Sequence, residues 1–350
     1  MQEKKKWAFQ LLFLLLVMTA TLYGLFRGND LKQITVMIQT ATWTWWLLGL
    51  VLVVLFICGE SVILHDIMRT LGTTHRVGHC FLYSFIGFFF SCITPSAGGG
   101  QPAQVYFMKK DRIPAAVSVP VLILVTITYK LVLVVYGVIV LVFRPGKILE
   151  ALEPVIGWCY LGFFLNTAFV GLCLMLIFWP SAVERFLRDC LRLAGRFLPQ
   201  ERTKHIGETI TEWMERYRDV AGCFQSHWGL LVRVMILTII QRSLLFAVTW
   251  VTMRSFGIHG NGLWTVIVLQ AMISMGTDLL PLPGGMGASE TMFMRIFPAL
   301  CGGELGLPVL LVSRGISYYG QLLISAVCTA VAAFVIGRPK GEEREYDWIL

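Results

Sequence analysis

The sequence predicts an all-α polytopic membrane protein with six spans, two broken re-entrant hairpins and an inverted internal repeat, about eight or more transmembrane segments in all. Three observations lead to this class. The 350 residues are 56% hydrophobic and only 14% charged, with a mean hydropathy of +0.71, whereas soluble domains carry about 25% charged residues. Several apolar runs reach the ~20 residues that a membrane-spanning helix requires. Two other apolar runs are interrupted by similar clusters of proline and glycine.

The first two spans are predicted from long apolar runs and the charges beside them. Trp7 to Phe26 follows a lysine cluster, Lys4 to Lys6, and has no convincing small-x-small cleavage site. We therefore expect an uncleaved helix whose amino end lies in the cytoplasm. The second span runs approximately from Trp43 to Leu64, and basic residues follow it. Because basic loops favour the cytoplasmic side, the chain returns there.

The next apolar run, Phe81 to Ile93, is too short to cross the bilayer. At 1.5 Å per residue it covers roughly 20 Å of a ~30 Å hydrocarbon core. It breaks at the sequence TPSAGGGQPAQ and resumes briefly before Lys109, Lys110 and Arg112. Because these cations favour the cytoplasm, residues 81–110 are predicted to form a hairpin that enters and leaves by one face.

Two more spans and a polar segment follow the first hairpin. Ala115 to Phe143 crosses outward and Pro154 to Trp179 crosses back, which completes a first membrane half at residues 1–180. Residues 181–227 carry apolar side chains at helical spacing with charges opposite them. This pattern predicts two amphipathic helices on the cytoplasmic membrane surface. A small soluble helical hairpin is the alternative.

The second membrane half, residues 228–340, repeats the organisation of the first. Gly229 to Val251 crosses outward, residues 263–300 form a second broken hairpin, and Leu307 to Ile336 crosses inward. Arg338 and Lys340 mark the cytoplasmic end. The sequence thus predicts a multi-pass membrane protein with both termini in the cytoplasm.

The two breaks align with each other. Pro95, Gly98 and Gly99 match Pro281, Gly284 and Gly285, Gln104 matches Glu290, and the second motif also contains Pro283 and Gly287. The predicted path brings the first hairpin in from the cytoplasm and the second from outside. Such inverted repeats place broken helices near the membrane midplane, where they form a substrate site. The alternative is that glycine and proline merely allow close helix packing.

Six charged residues lie inside predicted spans or hairpins. Placing one such side chain at the bilayer centre costs ~2.5–3.5 kcal/mol on insertion scales. The six residues are Glu60, Lys130, Arg242, Asp278, Glu290 and Arg314. One hypothesis is that they bind a lipid headgroup; the other is that they form ion pairs between helices. Ion pairing is favoured for Glu60, and also for a further charged residue, Arg233, because both lie near span ends. Tyr318 and Gln321 share a helix face with Arg314, and Gln101 and Gln104 belong to the first broken motif.

The sequence offers no motif for a catalytic residue, a metal or a cofactor. It contains no Walker loop and no nucleophile elbow, its six histidines lack ligand spacing, and its nine cysteines form no CxxC pair. The net charge of +8 lies mostly in loops. Positive charge in loops indicates the orientation of the chain in the membrane and contact with anionic lipid headgroups. We therefore expect no direct contact with nucleic acid.

The two broken motifs carry a family resemblance. TPSAGGGQPAQVYFMKK, residues 94–110, and PLPGGMGASE, residues 281–290, resemble the paired signatures of the lysylphosphatidylglycerol synthase transmembrane (flippase-like) family, the membrane half of the multiple peptide resistance factor. The resemblance covers about residues 8 to 337 and implies movement of a phospholipid between leaflets. Full-length members add a cytoplasmic domain that transfers lysine from lysyl-tRNA to phosphatidylglycerol. Since the chain ends at Leu350, we expect no such domain in it.

Together with this resemblance, the observations predict a translocase of the bacterial inner membrane for an anionic or aminoacylated phospholipid. Lys130, Arg242 and Arg314 would hold the phosphate, and Asp278 and Glu290 would hold an amine. One alternative is a phosphatidylglycerol lysyltransferase, alone or with a separate aminoacyltransferase subunit, that gives resistance to cationic antimicrobial peptides. Another is a proton- or ion-coupled small-solute transporter. The sequence leaves the oligomeric state open, with a homodimer as one alternative.

Overall fold

The computed structural model describes residues 19, 31–72, 77–95, 97–194 and 200–336. The predicted first span, Trp7 to Phe26, lies outside the described residues, except for residue 19. Short loops, a 3-10 turn (Glu153–Val155) and a π-helical turn (Gly315–Gly320) connect the described helices. The helices are α1 (Leu31–Thr40), α2 (Thr44–Thr70), α3 (Val77–Ile93), α4 (Gly100–Lys110), α5 (Ala115–Phe143), α6 (Gly146–Leu152), α7 (Ile156–Phe178), α8 (Pro180–Ala194), α9 (Gln200–Ser226), α10 (Trp228–Ser255), α11 (Leu263–Thr277), α12 (Ala288–Ile296), α13 (Pro298–Cys301), α14 (Gly306–Arg314) and α15 (Gln321–Val335).

Five helical segments are long and apolar enough to cross a membrane. They are Thr44–Thr70, Ala115–Phe143, Gly146–Met175, Trp228–Ser255 and Gly306–Val335. Each coincides with one of the six spans that the sequence predicts, and the sixth falls on the undescribed amino-terminal run. The chain is therefore a multi-pass all-α membrane protein. The shorter apolar helices α3 and α11 begin the two broken segments.

Helices α2 and α10 form an antiparallel pair that defines the two ends of the bundle. At one end the Thr42 N–H donates to the carbonyl of Ser255 over 2.9 Å. At the other end Arg233 donates two hydrogen bonds of 3.1 Å to the carboxylate of Asp66. We call these the Ser255 end and the Asp66 end.

Each broken segment returns to the end where it starts. Helix α3 begins at the Asp66 end, and His79 and Tyr83 near its start contact Asp111, just beyond α4. Helix α11 begins at the Ser255 end, where Asn261 donates to the carbonyl of Leu300 over 2.9 Å. The α3–α4 and α11–α12 hairpins therefore enter the bundle from opposite ends.

The tips of the two hairpins meet inside the bundle. Pro95 and Pro283 form an isolated antiparallel β-bridge. Beside it, the Tyr318 hydroxyl donates to the carbonyl of Cys92 over 2.8 Å, which ties the last span to the end of α3. The two breaks that align in the sequence are thus neighbours in space.

The last span is not one regular α-helix. The sequence predicts a continuous span from Leu307 to Ile336, but residues Gly315–Gly320 form a π-helical turn between α14 and α15. Such wide turns are rare and occur frequently at functional sites. This turn directly follows Arg314 and contains Tyr318. The sequence analysis had singled out both of these residues.

Helices α8 and α9 pack against each other through part of their apolar faces. Met214, Tyr217 and Ala221 form a buried cluster with Leu187 and Ile210. This contact is the one expected of the alternative helical hairpin. Residues 195–199 and several side chains of both helices, including Val183 and Trp213, lie outside the described part.

Other features of α8 keep the amphipathic interpretation open. Phe186 and Leu193 remain exposed, as they would be on a membrane surface. Glu184 binds Arg188 over 2.8 Å and also contacts Arg218 of α9. The hydrogen bond from Arg188, more than the charge of Arg218, lowers the pKa of Glu184.

Candidate functional site

A cavity of about 500 Å³ lies between the two hairpins. Its walls come from α2, both hairpins, α5, α7, α10 and the last span. Of the six charged and four polar side chains that the sequence placed in the spans and hairpins, nine line the cavity: Glu60, Gln101, Gln104, Lys130, Arg242, Asp278, Arg314, Tyr318 and Gln321. The tenth, Glu290, is buried behind Arg314. The fold therefore gathers residues that are far apart in the chain around one space.

The cavity has a positive pole at Lys130, Arg242 and Asp278. Lys130 Nζ and Arg242 Nη2 lie 3.3 and 3.4 Å from the same oxygen, Asp278 Oδ2. One carboxylate between two cations leaves an excess positive charge, which favours an anion. Asp278 directly follows α11, so both cations also lie at a helix carboxyl end, where the backbone dipole stabilises them.

Arg242 is the most firmly held member of this pole. Its guanidinium stacks over the rings of Tyr129 and Phe246 at 5.3 and 5.1 Å. The residue is only 7% exposed, and its Nε is buried with no hydrogen-bond partner among the described protein groups. A buried donor of this kind costs free energy until an acceptor reaches it. The Arg242 side chain also lines the cavity, where its guanidinium is available to an anion.

Arg314 differs because its charge is balanced within the chain. Its Nε lies 2.8 Å from Glu290 Oε1, and the guanidinium also contacts the Ser289 hydroxyl. The second Glu290 oxygen accepts the Gly287 N–H over 2.7 Å, which caps the start of α12. This group fixes the second break against the last span.

The motif glycines and prolines divide into two sets. Gly98, Gly284 and Gly285 line the cavity, whereas five others form the breaks without lining it: Pro95, Gly99, Pro281, Pro283 and Gly287. Gly284 has a φ of +56°, and a Cβ added there would lie 2.1 Å from the Tyr318 ring. The second break therefore needs glycine at this position for both backbone conformation and space.

Sequence reasoning underestimated Glu60. It placed this residue near a span end, but the structure buries it to 6% exposure in the cavity wall. Its Oε1 accepts Gln104 Nε2 over 2.8 Å and its Oε2 accepts the Tyr129 hydroxyl over 3.1 Å. One sequence feature could have predicted this environment: other polar residues, Tyr129 and Gln241 among them, also lie within apolar spans. Arg233 forms an ion pair with Asp66, as expected near a span end.

The comparisons place the chain beside one known family. The family described as "Lysylphosphatidylglycerol synthase TM region" matches residues 7–325, and no curated protein matches the chain. This range includes both broken motifs and all the cavity residues named above. It confirms the resemblance drawn from the two motifs.

Proposed function

The chain belongs to the lysylphosphatidylglycerol synthase TM family, and we propose that it moves an anionic or aminoacylated phospholipid between the leaflets of a bacterial inner membrane. The observation that carries this proposal is the polar cavity between two broken hairpins in an apolar bundle. Its volume of about 500 Å³ suits a headgroup. The acyl chains would remain in the surrounding lipid.

The positive pole is the part of the cavity that would hold the lipid phosphate. Lys130 and Arg242 share one carboxylate, so a phosphate oxygen would complete the balance of charge. The guanidinium of Arg242 lines the cavity and carries several donors, and phosphate oxygens are good acceptors for such donors. Arg314 and Glu290 would mainly keep the second break in place, while Glu290 and Asp278 remain candidate partners for a headgroup amine.

The opposed hairpins supply a route for alternating access. Transporters built from inverted repeats bind substrate where broken helices meet, and one repeat rocks against the other around that site. The α3–α4 and α11–α12 hairpins start from opposite ends of this bundle and touch at Pro95 and Pro283. We infer that rocking at this contact opens the cavity to one leaflet and then the other.

Reconstitution in vesicles tests this function. A fluorescent phosphatidylglycerol is placed in both leaflets, the outer population is quenched chemically, and further loss of fluorescence reports exchange. We expect the protein to accelerate exchange and Arg242→Gln to reduce it at least tenfold per folded molecule. The matched control, Arg233→Gln, removes an arginine from the exposed rim of the same helix and should leave the rate unchanged. Equal rates with and without the protein would contradict the proposal.

A second candidate follows from the printed family description, which names a synthase. In that case the chain would be a phosphatidylglycerol lysyltransferase, alone or as the membrane partner of a separate aminoacyltransferase subunit. The assay supplies the purified chain with lysyl-tRNA and phosphatidylglycerol. We expect no lysyl-lipid, and robust product formation would favour this candidate over the translocase.

A further inference from the structure

Glu60 differs electrostatically from Asp278 and Glu290, the two other acids of the site. Asp278 and Glu290 each lie within 3.4 Å of a basic nitrogen. Among the described residues, Glu60 has no lysine, arginine or histidine nitrogen within 4.0 Å. A buried carboxylate without a cation is unstable unless it takes up a proton or a positive ion.

The hydrogen bonds around Glu60 have fixed directions. Gln104 Nε2 donates to Glu60 and also to the carbonyl of Tyr83 over 3.2 Å. Gln241 Nε2 donates to the carbonyl of Phe56 over 2.8 Å and to the Tyr129 oxygen, which directs the Tyr129 proton towards Glu60. Both Glu60 oxygens therefore accept bonds from neutral, anchored donors.

The packing shows that this arrangement is specific. Gln104 reaches Glu60 across α3 at Gly87, where an added Cβ would lie only 2.4 Å from Gln104 Nε2. Any side chain at this position would displace the amide. Glu60 also lines the cavity, so a proton can reach it through the same space as a headgroup.

Each neighbouring helix presents its own ionisable groups towards this part of the bundle. They are Tyr83 from α3, Tyr129 and Lys130 from α5, and Arg242 from α10. Tyr83 contacts Asp111 through its hydroxyl, and Lys130 and Arg242 both bind Asp278. Arg242 lies 5.3 Å from the ring of Tyr129, and Tyr129 in turn bonds Glu60. The positive pole is therefore one side chain away from Glu60.

We propose that Glu60 is a proton-binding site coupled to occupancy of the positive pole, so that lipid and proton move together. This inference rests on the proposed function. The excess positive charge at Lys130 and Arg242 stabilises an ionised Glu60. A bound phosphate neutralises that charge, so Glu60 then takes a proton from the side to which the cavity opens. By reciprocity, a protonated Glu60 strengthens phosphate binding.

Vesicle experiments test the coupling. Exchange of fluorescent phosphatidylglycerol is measured at equal pH and with a pH gradient, while a trapped pH dye reports proton movement. We expect the gradient to accelerate exchange several-fold and lipid exchange to move protons. In Glu60→Gln the rates of lipid exchange with and without the pH gradient should become about equal, and the dye signal should vanish. The control Asp66→Asn removes a carboxylate at the Asp66 end of the same helix. It should retain both the acceleration by the pH gradient and the dye signal.

The possible outcomes separate the two proposals. If the rate of lipid exchange does not depend on the pH gradient and exchange moves no protons, the proposal of a proton site is wrong, whereas the translocase proposal stands. Acceleration by a sodium gradient at constant pH also overturns the proton site. A complete lack of exchange contradicts the translocase itself.

Infrared spectroscopy tests the proton site without transport. Adding an ether-linked phosphatidylglycerol, which has no ester carbonyl of its own, to the protein in an ester-free detergent should produce the carbonyl band of a protonated carboxyl group. The band should be absent in Glu60→Gln and shifted in Glu60→Asp, which keeps an acid and serves if the glutamine variant does not fold. If no such band forms in the wild-type protein, or if Glu60→Asp leaves it unshifted, Glu60 does not take up the proton.

Discussion

Single residues inside this bundle are distinguished by their partners rather than by their depth. The sequence identified Asp278 and Glu60 equally well as acids within apolar runs. It could not show that two cations converge on Asp278 while Glu60, among the residues that the structure describes, accepts hydrogen bonds from the neutral Gln104 and Tyr129. Depth follows from position in one helix, whereas pairing depends on how distant helices are rotated against each other.

The glycines that line the cavity give a testable contrast at this scale. Gly284→Ala forces a side chain into positive φ and against the Tyr318 ring, so we expect a loss of roughly 1–3 kcal/mol in stability. Gly98→Ala adds the same methyl group in open space, with only the Pro95 carbonyl at 3.4 Å. Thermal melts in detergent should show a clear decrease for Gly284→Ala and little change for Gly98→Ala. Equal melting temperatures would contradict the account of the second break.

At the scale of helices, hydropathy and breaker residues predicted most of the architecture. Long apolar runs located the five described spans, and proline with glycine located both hairpin tips. The π-helical turn at Gly315–Gly320 was missed. Glycine at both ends of that turn resembles any tolerated helix glycine, and the contacts that Tyr318 and Arg314 make there join segments that are far apart in the sequence.

The α8–α9 pair provides a pH-dependent prediction. The pKa of Glu184 is lowered, chiefly by its hydrogen bond with Arg188. A folded-state pKa below the unfolded value stabilises the pair above the unfolded pKa, and this contribution is lost as the pH falls through the folded pKa. Because the contact is near the surface, the effect should be small.

Hydrogen exchange of the α8 backbone measures this effect. After correction for intrinsic rates, we expect protection of α8 to decrease from neutral to strongly acidic pH in the wild-type protein. In Glu184→Gln, protection at neutral pH should already be reduced and should change less with pH. A wild-type protein whose α8 protection is constant with pH would show that Glu184 does not hold the two helices together.

For the whole molecule, the informative feature is the contact between the two hairpin tips. Sequence alignment of the motifs predicted that the breaks are related, but it could not place one against the other. The structure joins them at Pro95 and Pro283. The bridge is isolated: among the described residues no longer ladder continues on either side of it. The two tips can therefore separate at the cost of few hydrogen bonds.

A cross-link across the tips tests whether they move. Residues paired in an antiparallel bridge have Cα atoms about 4.5–5.5 Å apart, within the range for a disulfide. Pro95→Cys with Pro283→Cys should cross-link on oxidation, reduce lipid exchange severely and recover with reductant. Each single variant serves as the control, because the chain has nine native cysteines. A cross-linked protein that exchanges lipid at the uncross-linked rate would exclude motion at this contact.

The wide turn in the last span has a consequence for helix rotation. A π-helical turn holds one residue more than an α-helical turn, and a shift of that turn along the chain exchanges one set of backbone hydrogen bonds for another. Each residue that the turn passes would rotate by about 100° around the helix axis and advance by about 1.5 Å. Such a shift through Tyr318 would take its hydroxyl away from the carbonyl of Cys92. The angular position of Tyr318 relative to Arg314 is thus a coordinate that can change while every helix stays folded.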